Sequence, residues 1–185
     1  MPADLSITAL AERLRCLVGW RRRAAALAAG IVSVAAMAPF HAWPVLWITL
    51  PTLVWLIDGA VSRTHRGTAA RWYRRPEFAA AEVGWWFGFG YFLAGLFWVG
   101  EAFLVEAEVF AVLLPFAVTL LPAGLALFHA AAAVIAARFW HAGPARVLAL
   151  ALAFSAMEWL RGHVLTGFPW NVLGYALTYP LAFMQ

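Results

Sequence analysis

Five long apolar runs, separated by short polar segments, dominate the hydrophobic pattern of this chain. These runs are at about residues 24–38, 45–61, 79–99, 110–137 and 147–165. An apolar run of roughly 20 residues is long enough to cross the hydrocarbon core of a membrane as a helix. We therefore predict an all-α fold, a polytopic transmembrane helix bundle with five spans and the start of a sixth near Leu181.

The first 20 residues carry a different, amphipathic pattern. Leu10, Leu14 and Leu17 recur at helical spacing, and charged side chains lie between them. Such a helix keeps its charged face in water while its apolar face meets lipid, so residues 5–18 are predicted to lie on the membrane surface. The chain then divides into an N-terminal segment, residues 1–20, and a transmembrane domain, residues 21–185.

The arginines predict the orientation of the spans. The chain contains no lysine, and the five-span order places every arginine except Arg161 on one side of the membrane. The densest loop, residues 62–77, contains Arg63, Arg66, Arg71, Arg74 and Arg75. Because cytoplasmic loops are enriched in basic residues, the N-terminus and residues 1–20 are predicted to be cytoplasmic.

Composition excludes several other classes of protein. Hydrophobic residues make up 65% of the chain and charged residues only 12%, against about a quarter charged in soluble domains. A formal net charge of +4 could indicate nucleic-acid binding, but the arginines flank apolar spans, so no nucleic-acid partner is predicted. With Cys16 as the single cysteine, neither an internal disulfide nor a cysteine metal cluster can form, and we predict no cofactor and no metal.

Candidate chemistry is concentrated at the end of the fifth apolar run. Glu158 and Arg161 lie three residues apart there, on one helical face, where they could pair and so reduce the cost of lying within the bilayer. Alternatively, the polar side chains could anchor the following turn or meet a lipid phosphate, to which the arginine fork is suited.

That turn has the sequence Gly167, Phe168, Pro169, Trp170. Gly167 can adopt backbone angles that other residues resist, and Pro169 ends helical continuation. Phe168 and Trp170 are both expected to project apolar surface at the outer membrane interface.

Two features of the middle spans favour packing over chemistry. Gly84 and Gly88 have the spacing that lets membrane helices approach closely. His129 has no evident partner in the sequence and is predicted to be a packed histidine. The loop containing Glu101, Glu106 and Glu108 is interpreted as solvated charge, not as a metal site.

Four segments together resemble the apolipoprotein N-acyltransferase family of bacterial inner membranes. They are residues 37–44 (MAPFHAWP), 84–90 (GWWFGFG), 158–162 (EWLRG) and 165–170 (LTGFPW). The resemblance implies transfer of a fatty acyl chain from a phospholipid donor to the N-terminal S-diacylglyceryl-cysteine of an apolipoprotein acceptor. It also implies that Glu158, Arg161, Gly167, Phe168, Pro169 and Trp170 form the membrane-side wall of the substrate site.

In that family a nitrilase-like domain supplies a Glu-Lys-Cys triad, whose thiolate forms a thioacyl intermediate. Because this sequence contains no lysine, no catalytic residue can be assigned and we expect the chain alone to be inactive. Two other interpretations remain open. The chain could be a stand-alone membrane scaffold or lipid-binding module for a separate catalytic subunit, or a small transporter using Glu158, Arg161 and His129 as a relay.

Overall fold

The computed structural model describes residues 6–65, 75–105, 107–141, 143–164 and 167–178. Within these ranges the chain is helical and has no strand, which confirms the all-α prediction. The helices are α1 (Ile7–Cys16), α2 (Gly19–Ser33), α3 (Leu46–His65), α4 (Pro76–Gly95), α5 (Ala107–Phe110), α6 (Leu114–Arg138) and α7 (Ala145–His163). Short 3-10 helices lie at Val34–Ala36, Trp43–Val45, Phe97–Leu104, Ala111–Leu113 and Leu173–Leu177.

Helix α4 is the central element, in contact with α2, α3 and α6. A Cβ atom on Gly84 would lie 2.7 Å from the His129 carbonyl oxygen, and one on Gly88 would lie 2.8 Å from the His129 Cβ atom. On another face of α4, a Cβ atom on Gly90 would overlap the Leu27 carbonyl oxygen of α2. The predicted close packing at Gly84 and Gly88 is therefore confirmed, because only glycine leaves room for these backbones.

Aromatic rings fill the centre of the bundle around His129, which is 2% exposed. Its ring centroid lies 5.0 Å from that of Phe92 and 4.9 Å from that of Phe154, both in edge-on contacts. Phe87 and Tyr91 also contact this ring. The prediction of a packed histidine is confirmed.

The number of membrane spans is only partly supported. By length and hydropathy, Trp43–Thr64 and Ala107–Arg138 could cross a membrane. Pro76–Gly95 and Phe97–Leu104 would together make a third span, bent by 46°. Helix α2 has only 15 residues, and α7 contains three charged side chains within 19 residues. The described residues thus support two or three spans, and five spans remain a prediction.

Three predicted spans end earlier than expected. The first was expected to reach residue 38, but α2 ends at Ser33 and the 3-10 turn after it ends at Ala36. The third was expected to reach Val99, but α4 ends at Gly95 and the chain bends after it. The fifth was expected to continue to about Leu165, but α7 ends at His163 and Val164 is extended. Leu165 itself, like the predicted sixth helix near Leu181, lies outside the described residues.

Charged side chains gather at one end of the bundle, called the arginine end below. Asp58 is 6% exposed. Its carboxylate accepts hydrogen bonds from the Arg146 guanidinium at 3.0 Å, the Trp140 indole at 2.9 Å and the Arg15 guanidinium at 3.2 Å. These contacts connect α1, α3 and the α6–α7 connection. Nearby helices α2 and α4 are joined by an ion pair of 2.7 Å from Arg22 to Glu82. Arg66, Arg71, Arg74 and Glu106 lie outside the described residues.

Candidate functional site

Arg161 organises the turn that follows α7. Its side chain is buried although it carries a charge, and its Nη1 atom donates to the carbonyl oxygens of Phe168 at 2.5 Å and Trp170 at 2.7 Å. In return, the Phe168 amide donates to the Arg161 carbonyl oxygen at 3.0 Å. One guanidinium group thus folds residues 167–173, called the elbow below, back against the end of α7.

Glu158 holds the other end of the elbow. Its Oε1 atom accepts a hydrogen bond of 2.9 Å from the Leu173 amide. Glu158 and Arg161 are not among the ion pairs within 4.0 Å that the described residues form, so the first alternative, a pair between them, is not formed. The alternative, polar anchors that orient the turn, fits the structure, because backbone groups outside a helix need such partners.

Glycines let the elbow fit closely against its surroundings. Gly167 has φ +74°, and a Cβ atom there would lie 2.5 Å from the Gly162 carbonyl oxygen. A Cβ atom on Gly95, the last residue of α4, would overlap the Asn171 side-chain amide. The elbow is therefore shaped by the ends of two helices, and Gly167 has the unusual backbone angles that were expected.

The Arg161 guanidinium lies over an aromatic ring of α4. Its central carbon is 5.0 Å from the centroid of Phe92, a geometry in which the ring face attracts a cation. The Nε and Nη2 atoms of Arg161 are buried without a hydrogen-bond partner among the described residues. The ring thus stabilises the cation where hydrogen bonds do not.

The two aromatic residues of the elbow point in different directions. Trp170 is 53% exposed, and its ring centroid lies 5.4 Å from that of Trp98. Phe168 packs instead against a core cluster that includes Tyr91 and Phe92. The expectation that Phe168 projects outward is therefore wrong, because its ring gains apolar contacts inside the bundle.

An apolar cavity of about 630 Å³ lies between α3 and α7 and ends at the elbow. Leu50 and Val54 line it from α3, while Leu150 and Phe154 line it from α7. The Glu158 carboxylate makes the end at the elbow polar, and Pro169 and Leu173 also line that end. A second cavity of about 700 Å³ continues along α3 and shares Leu50, Val54 and Val147 with the first.

Only two of the six predicted site residues, Glu158 and Pro169, line the first cavity. Arg161, Gly167, Phe168 and Trp170 fix the shape of the elbow from outside it. The sequence interpretation missed Phe92, Gly95, Asn171 and Leu173. Gly95 ends the aromatic run of α4, which could have indicated a close contact, but nothing in the sequence indicates its partner.

The chemistry of the site suits binding, because the cavity is apolar along its length and has a few polar groups at one end. Trp159, 64% exposed, stacks on His163 with ring centroids 4.4 Å apart beside that polar end. Among the described residues, no three His, Cys, Asp or Glu side chains are placed to hold a metal ion. The geometry suits a molecule with a long alkyl chain and a polar head.

Comparison with known proteins identifies the family. Residues 29–185 match the model of the apolipoprotein N-acyltransferase N-terminal domain. Proteins named apolipoprotein N-acyltransferase are 54% identical over 167 residues in Rhodopseudomonas palustris, 51% over 170 in Brucella suis and 53% over 167 in Bradyrhizobium diazoefficiens. These alignments cover 90–92% of this chain but only 29–31% of each relative. The chain belongs to the apolipoprotein N-acyltransferase family and corresponds to its N-terminal domain.

Proposed function

We propose that this chain is the membrane portion of an apolipoprotein N-acyltransferase of the bacterial inner membrane. The reaction would move a fatty acyl chain from a phospholipid to the N-terminal S-diacylglyceryl-cysteine of an apolipoprotein. The observation that carries the proposal is the apolar cavity between α3 and α7, which ends at the elbow. Its volume of about 630 Å³ lies within the range of roughly 300–1,000 Å³ of small-molecule sites.

The cavity would orient an acyl chain more than attract it. Lipid tails are as apolar as leucine, so moving a chain from the bilayer into the cavity gains little hydrophobic free energy. Shape and the fixed polar end would instead place the reacting ester at the elbow. Such positioning is a large part of the catalysis of a reaction between two substrates.

The proposed topology has five spans, a cytoplasmic N-terminus and the elbow at the outer face. The arginine end, where Arg15 and Arg146 meet Asp58, supports it by the enrichment of arginine in cytoplasmic loops. Trp170 and Trp159, both exposed near the elbow, suit a lipid headgroup region. We further propose that the sequence alone does not catalyse acyl transfer, because it has no lysine for a Glu-Lys-Cys triad. Acyl transfer by the purified 185-residue chain would contradict this part.

A cavity-filling substitution tests the proposed site in a full-length relative. Ala151 lines the cavity, and Ala151→Phe should lower phospholipid-to-lipoprotein acyl transfer by about tenfold or more by displacing the donor chain. Ala156→Phe is the matched control, since Ala156 is exposed on the same helix and lies outside the cavity. Equal activities of the two variants, in membranes with equal amounts of each protein, would contradict the site.

The alternative is a stand-alone scaffold that docks a separate catalytic subunit, and an experiment on a full-length relative does not distinguish it. Reading the coding DNA beyond codon 185 for a Glu, Lys and Cys domain gives an independent answer.

A further inference from the structure

The arginine end contains a polar cavity that the proposed acyl-transfer site does not use. Its volume is about 350 Å³, and it lies between α1, the end of α3 and the start of α7. Charged side chains dominate its lining: Glu12, Arg15, Asp58, Arg63 and Arg146, with the Ser62 hydroxyl beside them. Unlike the two apolar cavities, it is built to receive a charged group.

The three guanidinium groups are held in place before any ligand arrives. The Asp58 carboxylate binds Arg15 at 3.1 Å and Arg146 at 3.0 Å. Arg63 donates to two backbone carbonyl oxygens at the end of α1, those of Arg15 at 3.3 Å and Cys16 at 2.7 Å. Little side-chain entropy would then be lost when an anion binds.

The cavity keeps a positive charge and unused donors. Three arginines and two carboxylates give a formal charge of +1. Burial acts to lower the pKa of Arg15, but hydrogen bonds and charges of Glu12 and Asp58 outweigh it and raise that pKa above its ordinary value. The buried Nε atom of Arg146 has no hydrogen-bond partner among the described residues. A guanidinium offers five N–H donors in a fork that suits phosphate oxygens.

We propose that this cavity binds the phosphate of an anionic phospholipid, a phosphodiester monoanion whose charge complements that of the cavity. A lipid is favoured as the source because α1, which forms one wall, also exposes Ile7 (74%) and Leu10 (48%). These side chains suit contact with acyl chains at a membrane surface. The proposal is separate from the acyl-transfer site, because the polar cavity shares no lining residue with the apolar cavity that ends at the elbow.

Lipid binding to the purified 185-residue chain in neutral detergent tests the proposal. Native mass spectrometry with short-chain phosphatidylglycerol should give a dissociation constant about tenfold lower than with phosphatidylcholine. Arg63→Gln should weaken phosphatidylglycerol binding about tenfold, since it removes a charged donor from the cavity. Arg13→Gln is the matched control: Arg13 is exposed on α1 and does not line the cavity, so binding should change by less than about twofold.

A second variant guards against loss of fold. Ser62→Phe leaves every charge in place and fills the cavity from its exposed lining residue, so it should also weaken phosphatidylglycerol binding. Equal binding of the two lipids, or equal losses in Arg13→Gln and Arg63→Gln, would overturn the proposal. Displacement of phosphatidylglycerol by an equal concentration of inorganic phosphate would overturn the lipid assignment and indicate a free phosphate ligand.

Discussion

The two ends of the bundle both bury charge, but they use it differently. At the arginine end, the Asp58 carboxylate meets Arg15 and Arg146, which are 43 and 88 residues away in the chain. At the elbow, Arg161 and Glu158 do not pair with each other, and each binds backbone groups within 15 residues. One arrangement joins distant helices, and the other folds a local segment.

The difference has a physical basis. An ion pair between helices compensates two charges at once and can tie elements that are far apart in sequence. A loop within a membrane protein instead exposes backbone groups that need polar partners where water is scarce. Charged side chains at the elbow supply those partners, which is why a cation and a carboxylate only three residues apart can be used separately.

The largest expected effect comes from Arg161→Ala. It would leave the partly buried carbonyl oxygens of Phe168 and Trp170 without their donor, at a cost of about 2–5 kcal/mol to the folded elbow. In a full-length relative, acyl transfer should fall by about tenfold or more. Arg138→Ala, which removes an exposed arginine at the other end, should leave activity within about twofold. Equal losses in the acyl-transfer assay would remove the reason for treating Arg161 as special.

Asp58→Asn should have the next largest effect. It would remove the counter-charge of Arg15 and Arg146, whose side chains are 31% and 22% exposed. Because these side chains are only partly buried, the free energy of unfolding should fall by about 2 kcal/mol, less than for a fully buried pair. Urea unfolding of the chain in detergent measures it. Glu12→Gln is the control, because that carboxylate is 67% exposed and its pair should contribute less than about 0.5 kcal/mol. Similar losses would contradict the central role of Asp58.

Gly59→Ala tests how tightly α1 is docked at the arginine end. The added Cβ atom would overlap the Arg15 carbonyl oxygen, a backbone atom that can move only with its helix. The free energy of unfolding in urea should fall by about 1–3 kcal/mol, because the steric overlap outweighs the higher helix propensity of alanine. Gly124→Ala has no atom within 4 Å of the new Cβ, so it should show only the stabilisation that comes from alanine's higher helix propensity. If both variants were stabilised, α1 would not be docked as described.

Gly95→Ala should have the smallest effect of the four. Its Cβ atom would meet the Asn171 side-chain amide, which can rotate away at a cost of about 1 kcal/mol or less. Comparison with Gly59→Ala in the same unfolding experiment shows whether the elbow end adapts more easily than the arginine end. A larger loss for Gly95→Ala would reverse that ranking.

Local sequence signals predicted several features correctly. The spacing of Gly84 and Gly88 indicated close helix packing. The leucine spacing near the N-terminus indicated the amphipathic helix α1, where Leu14 and the adjacent Leu17 pack against the core. The partners of charged residues could not be predicted in this way. The spacing of Glu158 and Arg161 was compatible with an ion pair between them. In the folded chain, each side chain instead binds a backbone group of the elbow.

The sequence by itself determined the helical class, the family and the separation of arginine-rich from arginine-poor ends, because these follow from hydropathy, motifs and composition along the chain. Only the tertiary structure decided that Asp58 joins α1 to α7, that Phe168 turns inward and that a cavity opens between α3 and α7. Those features depend on contacts between residues remote in sequence. Local periodicity specifies which face of a helix is apolar but not which atoms will lie opposite it.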